Sequence, residues 1–208
     1  MGAQLRHHHL HPFRKRSSRM TKKEIRKRYI KKRDELDPSW QLKADDLILI
    51  QFQTVDFPFL ERVMSFYSIP EKKEVNSFIL TDYLHFRNPA LTIAYPRMNA
   101  ADNTMEAIGV AADTAFTDNE YGITEPVDGH LIDPGDLDMV IVPLLAIDKQ
   151  GHRVGYGKGY YDRFLARCSD DCIKVGLSYF EPEKVIEDTH QYDLPLDLCI
   201  TPEQVYVF

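Results

Sequence analysis

The sequence predicts a single α/β domain of three layers: a mostly parallel central sheet, Rossmann-like, with helices on both faces. Short, nearly continuous apolar runs recur at residues 91–95, 138–142 and 173–177, the pattern of strands buried on both faces. Segments of helical periodicity lie between such runs, and strands alternating with helices build parallel sheets. A length of 208 residues, with no internal repeat and no linker, suits one such domain.

The elements follow in order. Thr21-Lys-Lys-Glu24 has the form of a capping box, in which side chain and backbone satisfy each other's free donors at a helix start. The helix it opens carries Ile25, Tyr29 and Leu36 on one face and ends at Asp37-Pro38. Ser39 is placed to cap a second helix running to about Gln53. Residues 63–67 read as a strand, and Asn76 opens a helix to about Phe86. Strands follow at 91–95 and 138–142. The intervening stretch, 98–137, carries Gly109, Gly122, Gly129 and Gly135 and is expected to add an antiparallel hairpin. Residues 160–167 read as a helix, and 173–177 and 198–200 as strands.

Charge is distributed unevenly. The net charge of −6 hides a +12 segment at residues 1–33, which holds thirteen basic side chains and the single acid Glu24, ahead of a −18 remainder. Residues 1–20, with His7-His-His9 and Arg14-Lys-Arg16, read as a basic extension, disordered or vector-derived, before a domain at 21–208. Phe13 is the one Phe, Tyr or Trp among those charges, too few for the stacking surface that nucleic-acid binding requires. At 43% hydrophobic residues the chain is of globular type. Its apolar runs are too short to span a bilayer, which takes about 20 residues. No apolar stretch of signal-peptide type follows the basic start. Cys168, Cys172 and Cys199 are an odd set without a CxxC pair and read as reduced thiols, so a cytoplasmic location is expected.

The densest chemical signal is Gly151-His-Arg-Val-Gly-Tyr-Gly-Lys-Gly-Tyr-Tyr-Asp162. Gly155, Gly157 and Gly159 let backbone amides approach a ligand closely, and a helix start follows directly. Arg153 and Lys158 add positive charge, so the segment reads as a polyphosphate cradle. It is neither a Walker A loop, since Gly159 and Tyr160 follow Lys158, nor a dinucleotide fingerprint, whose third glycine would fall at Tyr160. The competing reading is a glycine-rich hairpin with solvated charges. The chain shows no convincing Ser-His-Asp or Cys-His arrangement, and the dispersed His85, His130, His152 and His190 have no metal-ligand spacing.

This segment closely resembles the signature of the 5-formyltetrahydrofolate cyclo-ligase family, also called methenyltetrahydrofolate synthetases. Flanking segments are similar to that family in the same order: Lys22-Lys-Glu-Ile-Arg26, Phe66-Tyr-Ser with Glu74-Val-Asn-Ser77, Tyr95-Pro-Arg97, Gly122-Ile-Thr-Glu-Pro126, residues 137–143, and Asp193-Leu-Pro-Leu-Asp197 with Thr201-Pro-Glu203. The resemblance runs from about Lys22 to Glu203.

The resemblance implies ATP- and Mg²⁺-dependent ring closure of 5-formyltetrahydrofolate to 5,10-methenyltetrahydrofolate, with ADP and phosphate as the other products. It implies Lys22, Arg26, Arg153, Gly155, Gly157, Lys158, Gly159, Tyr160 and Tyr161 at ATP, with Lys158 and Arg153 meeting the charge of phosphoryl transfer. Asp162 and Asp193 are implied at the metal, although Asp197 lies close enough in sequence to compete with Asp193. Tyr67, Glu74, Met105 as an apolar wall, and Tyr160 are implied at the folate.

Three departures from the family pattern stand out. Leu144 follows Pro143 where Gly is common, and Ile147 replaces a Phe; both are expected to alter packing. Tyr156 stands where Arg is frequent, which removes a cation expected at the phosphates. The alternatives are a catalytically diverged family member that binds nucleic acid or regulates through its basic N-terminus, and a kinase-like enzyme acting on another small acid or amide. The partners expected are small molecules, with neither nucleic acid nor membrane, and the chain is expected to be a monomer or weak dimer.

Overall fold

The computed structural model describes residues 19–208. The expected basic extension lies outside the described residues apart from its last two. Of those, Met20 bridges Ile186 and packs on the core beneath the first helix, so it belongs to the domain.

Helix α1 (Lys22–Asp34) opens with the capping box of Thr21 and Glu24. Helix α2 (Pro38–Gln53) is capped by Asp37, whose carboxylate accepts from Trp40 N. Ser39, expected as the cap, donates its hydroxyl to Asp37 instead, because Pro38 fits the first helical position and shifts the cap back two residues. Strand β1 (Arg62–Met64) is shorter than expected, because the chain leaves the sheet after Ser65 and carries Phe66 and Tyr67 toward a cleft. Helix α3 (Phe78–Arg87) starts two residues after Asn76, whose side chain accepts from Phe78 N.

Strands β2 (Thr92–Asn99) and β3 (Thr104–Gly109) form the expected hairpin, followed by β4 (Phe116–Asp118), β5 (Thr124–Pro126) and β6 (His130–Ile132). Then come β7 (Met139–Val142), the two-residue strands β8 (Ala146–Ile147) and β9 (Arg153–Val154), and α4 (Tyr160–Leu165). The chain closes with β10 (Ile173–Leu177), β11 (Leu198–Ile200) and β12 (Val205–Val207).

The main sheet has the order β12-β11-β10-β7-β1-β2-β3-β6. The five strands from β11 to β2 are mutually parallel, and antiparallel pairing adds β12 at one edge and the β3-β6 pair at the other. Period-two alternation sends Val63, Ile93, Met139 and Ile141 into one core with Ile48, Phe52 and Leu80 of α2 and α3. Met64, Ala94, Val140 and Val142 point into the opposite core with Phe164 and Leu165 of α4. This is the three-layer α/β arrangement the sequence predicts. Helix α1 stands apart, with Ile25 and Tyr29 packed on Ala146 and Val154 of the small β8-β9 hairpin.

Two of these features fix where a ligand can bind. The chain runs from β1 through α3 to β2 on one side, whereas β7 leads through α4 to β10 on the other. The strand order therefore reverses between the parallel neighbours β1 and β7, and a crevice at the carboxyl ends of such strands is the usual ligand site of an open α/β sheet.

Candidate active site

A cavity of about 630 Å³ opens at that position. Phe66, Tyr67 and Glu74 reach it from beyond β1, Met98 from the end of β2, and Pro143 from the end of β7. The glycine segment from Arg153 to Asp162 forms one wall, and Lys22 and Arg26 of α1 with Asp193 form another.

The glycine wall takes its shape from backbone geometry. Gly157 and Gly159 have φ of 93° and 72°, the left-handed region that side chains disfavour. A Cβ on Gly157 would stand 3.1 Å from the Arg26 guanidinium, which crosses the loop and donates from Nε to Gly155 O at 3.0 Å. Lys22 Nζ bonds Asp193 Oδ2, one helical turn before Arg26. Residues four apart share a helix face, so one side of α1 presents both cations to the loop. Among the other basic residues of α1, Arg33 is also turned inward and Lys32 covers the rings of Tyr29 and Phe180.

Arg153 is nearly buried, and its Nη2 donates to Asp162 Oδ1 at 3.0 Å while its Nε has no partner among the described residues. Burial pushes the Arg153 pKa down, and the Asp162 carboxylate pulls it back. Burial also raises the Asp193 carboxyl, but the Lys22 ammonium and the His190 amide outweigh it and hold this acid below its ordinary range. Lys158 Nζ stands 3.6 Å above the Tyr121 ring at the turn of the β4-β5 hairpin.

The opposite end of the cavity is aromatic and carries a buried acid. Tyr67 is edge-on to Phe78 and Tyr95 and tilted against Phe116. Glu74 is 8% exposed; its Oε2 accepts from Ile69 N at 2.8 Å and its Oε1 from the Tyr156 hydroxyl at 3.1 Å. Burial raises the Glu74 carboxyl above its ordinary value, against the pull of the Ile69 amide and Arg33.

Every site residue expected from the sequence lines this cavity except Met105. Met105 is 1% exposed in the core on the α4 side, where β3 lies beneath that helix. Its partner across the β2-β3 hairpin, Met98, lines the cavity in its place. Tyr160 reaches the cavity but is 7% exposed in the same core, with the Arg163 guanidinium 5.3 Å from its ring, so little of its face is open for stacking. Asp193 and Asp197 are now distinguished: Asp193 lines the cavity, whereas Asp197 caps the Lys174 amide outside it.

Arg33, Tyr121 and Lys72 were not singled out by the sequence reading. Arg33 could have been found, since Lys22, Arg26 and Arg33 continue one helical face. Tyr121 sits in an irregular turn with no pattern to mark it.

The model of the 5-formyltetrahydrofolate cyclo-ligase family matches residues 18–202. The chain belongs to this family. A probable cyclo-ligase from Schizosaccharomyces pombe is 32% identical over 174 residues, covering 74% of this chain and 82% of that protein. The cyclo-ligase from Mycoplasma genitalium is 44% identical over a shorter segment, 33% of this chain and 42% of the relative. The match to the Haemophilus influenzae cyclo-ligase, 37% identical, spans 40% of this chain and 46% of that protein, so these two matches reach less than half of each relative's length. The solved structure of 5,10-methenyltetrahydrofolate synthetase from Aquifex aeolicus superposes with a TM-score of 0.76 at 28% identity, covering 90% of this chain and 93% of that one. In this cyclo-ligase fold, no helix among the described residues is long and apolar enough to cross a membrane.

Proposed function

We propose that the chain catalyses ATP-dependent closure of 5-formyltetrahydrofolate to 5,10-methenyltetrahydrofolate, releasing ADP and phosphate. The observation that carries this reading is the division of one cavity in a cyclo-ligase fold. Lys22, Arg26, Arg153 and Lys158 gather at a glycine loop on one side, and a buried carboxylate with aromatic neighbours lies on the other.

The cationic side suits a triphosphate. Lys22, Arg26 and Lys158 supply charge, and the Gly157-Gly159 backbone permits close approach. The buried Arg153 Nε is a donor without an acceptor among the described residues, a cost that a ligand oxygen arriving there would offset. The Glu74 side suits the pterin, whose amide and amine N–H groups need acceptors that a carboxylate provides. Tyr67 and Met98 offer apolar surface beside it.

Phosphoryl transfer of this kind depends on positioning and charge neutralisation more than on a protein nucleophile. The formyl oxygen attacks the γ-phosphorus as the bond to ADP breaks, and Lys158 and Arg153 offset the charge on the transferring group. N10 then attacks the formyl carbon, the carbon–oxygen bond breaks to release phosphate, and N10 loses its proton to complete the methenyl ring.

For magnesium, the fit rests on donor chemistry. Asp162 and Asp193 offer hard carboxylate oxygens at the cationic wall, and Asp162 remains 30% exposed. Among the described residues no group of three or more acids, histidines or cysteines gathers to hold a metal unaided. That suits Mg²⁺, which is commonly bound by one or two carboxylates together with substrate phosphates and waters. When bound, the ion would neutralise phosphate charge.

The test is to incubate the purified chain with ATP, Mg²⁺ and 5-formyltetrahydrofolate and follow the methenyl product by its near-ultraviolet absorbance. Product that requires all three additions is expected, and its absence beside an active control enzyme overturns the reading.

A further inference from the structure

Tyr156 departs from the family pattern, and the structure shows what its side chain does. The ring is 39% exposed in the glycine wall, yet the hydroxyl is held between two nearly buried side chains. Arg33 Nη1 lies 2.9 Å from it, and Glu74 Oε1 lies 3.1 Å away. Arg33 also donates from Nη2 to the Leu144 carbonyl, so its guanidinium is fixed on both prongs. A guanidinium can only donate, so the hydroxyl accepts from Arg33 and gives its one proton to Glu74. The order Arg33, Tyr156, Glu74 therefore has a single direction, and it bridges α1, the glycine loop and the folate side of the cavity.

We propose that Tyr156 is a positioning residue for folate recognition, passing the polarisation of Arg33 through its hydroxyl to hold the Glu74 carboxylate as an acceptor for the donors of the pterin ring. The inference rests on the proposed function. It explains why a tyrosine serves here: the hydroxyl faces the folate-side carboxylate and a cation already supplied by α1, and not the phosphates. Ile69 N takes one oxygen of Glu74 and Tyr156 the other, which fixes the plane of the carboxylate and leaves its remaining lone pairs for a ligand.

The charged and titratable groups around Glu74 come from several elements. They are Arg33 of α1, Lys72 of the preceding turn, Tyr156 and Tyr161 of the glycine segment, and Tyr179 beyond β10, whose hydroxyl is 3.2 Å from the Glu74 carbonyl. Burial raises the Glu74 carboxyl; the Ile69 amide, Arg33, Tyr156 and Lys72 lower it. Removing the Tyr156 hydroxyl deletes one of the groups that favour the ionised form. Glu74 then protonates at higher pH, and an acceptor is lost.

Steady-state kinetics of the full chain and its Tyr156→Phe variant, with ATP and 5-formyltetrahydrofolate varied separately, test this. The variant should raise the folate KM about tenfold, the scale of one hydrogen bond to a charged group. It should leave the ATP KM within about twofold and move the acid limb of kcat/KM for folate to higher pH. Because both residues act through one carboxylate, Tyr156→Phe added to Glu74→Gln should raise the folate KM little beyond Glu74→Gln alone. An active wild type whose Tyr156→Phe variant keeps its folate KM and acid limb, or loses ATP affinity instead, overturns this inference alone. Fully additive losses in the double variant overturn it as well. A wild type without turnover removes the proposed function and this inference together.

Discussion

Arg153 donates to Asp162 Oδ1 across 3.0 Å, and the two members of the pair differ in exposure: the Arg153 side chain is 7% exposed and that of Asp162 is 30%. Removing one partner of a buried ion pair costs about 3–5 kcal/mol, because the other charge is left without compensation. The cost should therefore depend on which partner is removed. Asp162→Asn strands a buried guanidinium and is expected to cost about 2 kcal/mol, reduced from the full figure by the water that reaches the site. Arg153→Met leaves a carboxylate that water can solvate and should cost less. Urea denaturation of the two variants without ligand measures the order, and an equal or reversed order contradicts it.

Burial of Glu74 works against stability. Burial holds its folded pKa above the value of about 4.3 in an unfolded chain. The folded state therefore binds the proton more tightly, and the ionised acid weakens the fold at neutral pH. Glu74→Gln removes that penalty while an amide still accepts from Ile69 N. The variant should melt higher than wild type at pH 7, and the difference should vanish once both states of Glu74 are protonated, below about pH 4. Folate turnover should fall sharply in the same variant. A melting difference that is constant across the range would show that burial of the charge is not its cause.

The parallel core was legible because its strands are buried on both faces and so are apolar without alternation, as at residues 139–142. What escaped was structure made by long-range pairing of short segments. The two-residue strands of the β8-β9 hairpin have no periodicity to read, and β12 exists because the chain end finds the free edge of β11. In the site, the glycines carried their own signal, since φ above zero restricts residue type locally, and the cations stood out by their spacing on one helix face and in the loop. Tyr121 and the joint between Arg33, Tyr156 and Glu74 depend on residues dozens apart, so only the fold reveals them. Met105, implied as an apolar wall, lies in the core instead, and only the pairing of β3 with β2 shows that face.

The Lys22-Asp193 pair should give an acid-dependent term of opposite sign to that of Glu74. Asp193 titrates below its ordinary range in the folded chain, because Lys22 and the His190 amide outweigh its burial. A depressed pKa contributes stability above the unfolded value of about 3.9, and this is lost as pH falls through the folded value. Lys22→Met should cost about 1 kcal/mol at pH 7, modest because the pair is partly solvated. The gap from wild type should begin to narrow near pH 4 and close only once pH falls below the depressed folded value of Asp193. Chemical denaturation at a series of pH values follows this, and a gap that persists into acid would assign the loss to packing of the lysine stem.

Two glycines two residues apart in the same wall give the sharpest test of how the loop meets α1. Gly157 has φ of 93°, and a Cβ there would stand 3.1 Å from the Arg26 guanidinium. Gly155 is free of that constraint, and a Cβ there would meet only the tip of Arg153 at 3.2 Å. Gly157→Ala therefore combines left-handed strain, about 1 kcal/mol for an alanine, with displacement of Arg26 from the Gly155 carbonyl it holds. Because Arg26 lies on the cationic side of the cavity, the ATP KM should rise about tenfold while the folate KM moves little. Gly155→Ala should raise the ATP KM less than Gly157→Ala does, since its backbone is not left-handed and Arg26 is not displaced. Separate titrations of ATP and folate in the cyclisation assay measure all four values. Equal effects of the two substitutions on the ATP KM would show that the conformation of the loop, and not its contact with Arg26, governs the cationic wall.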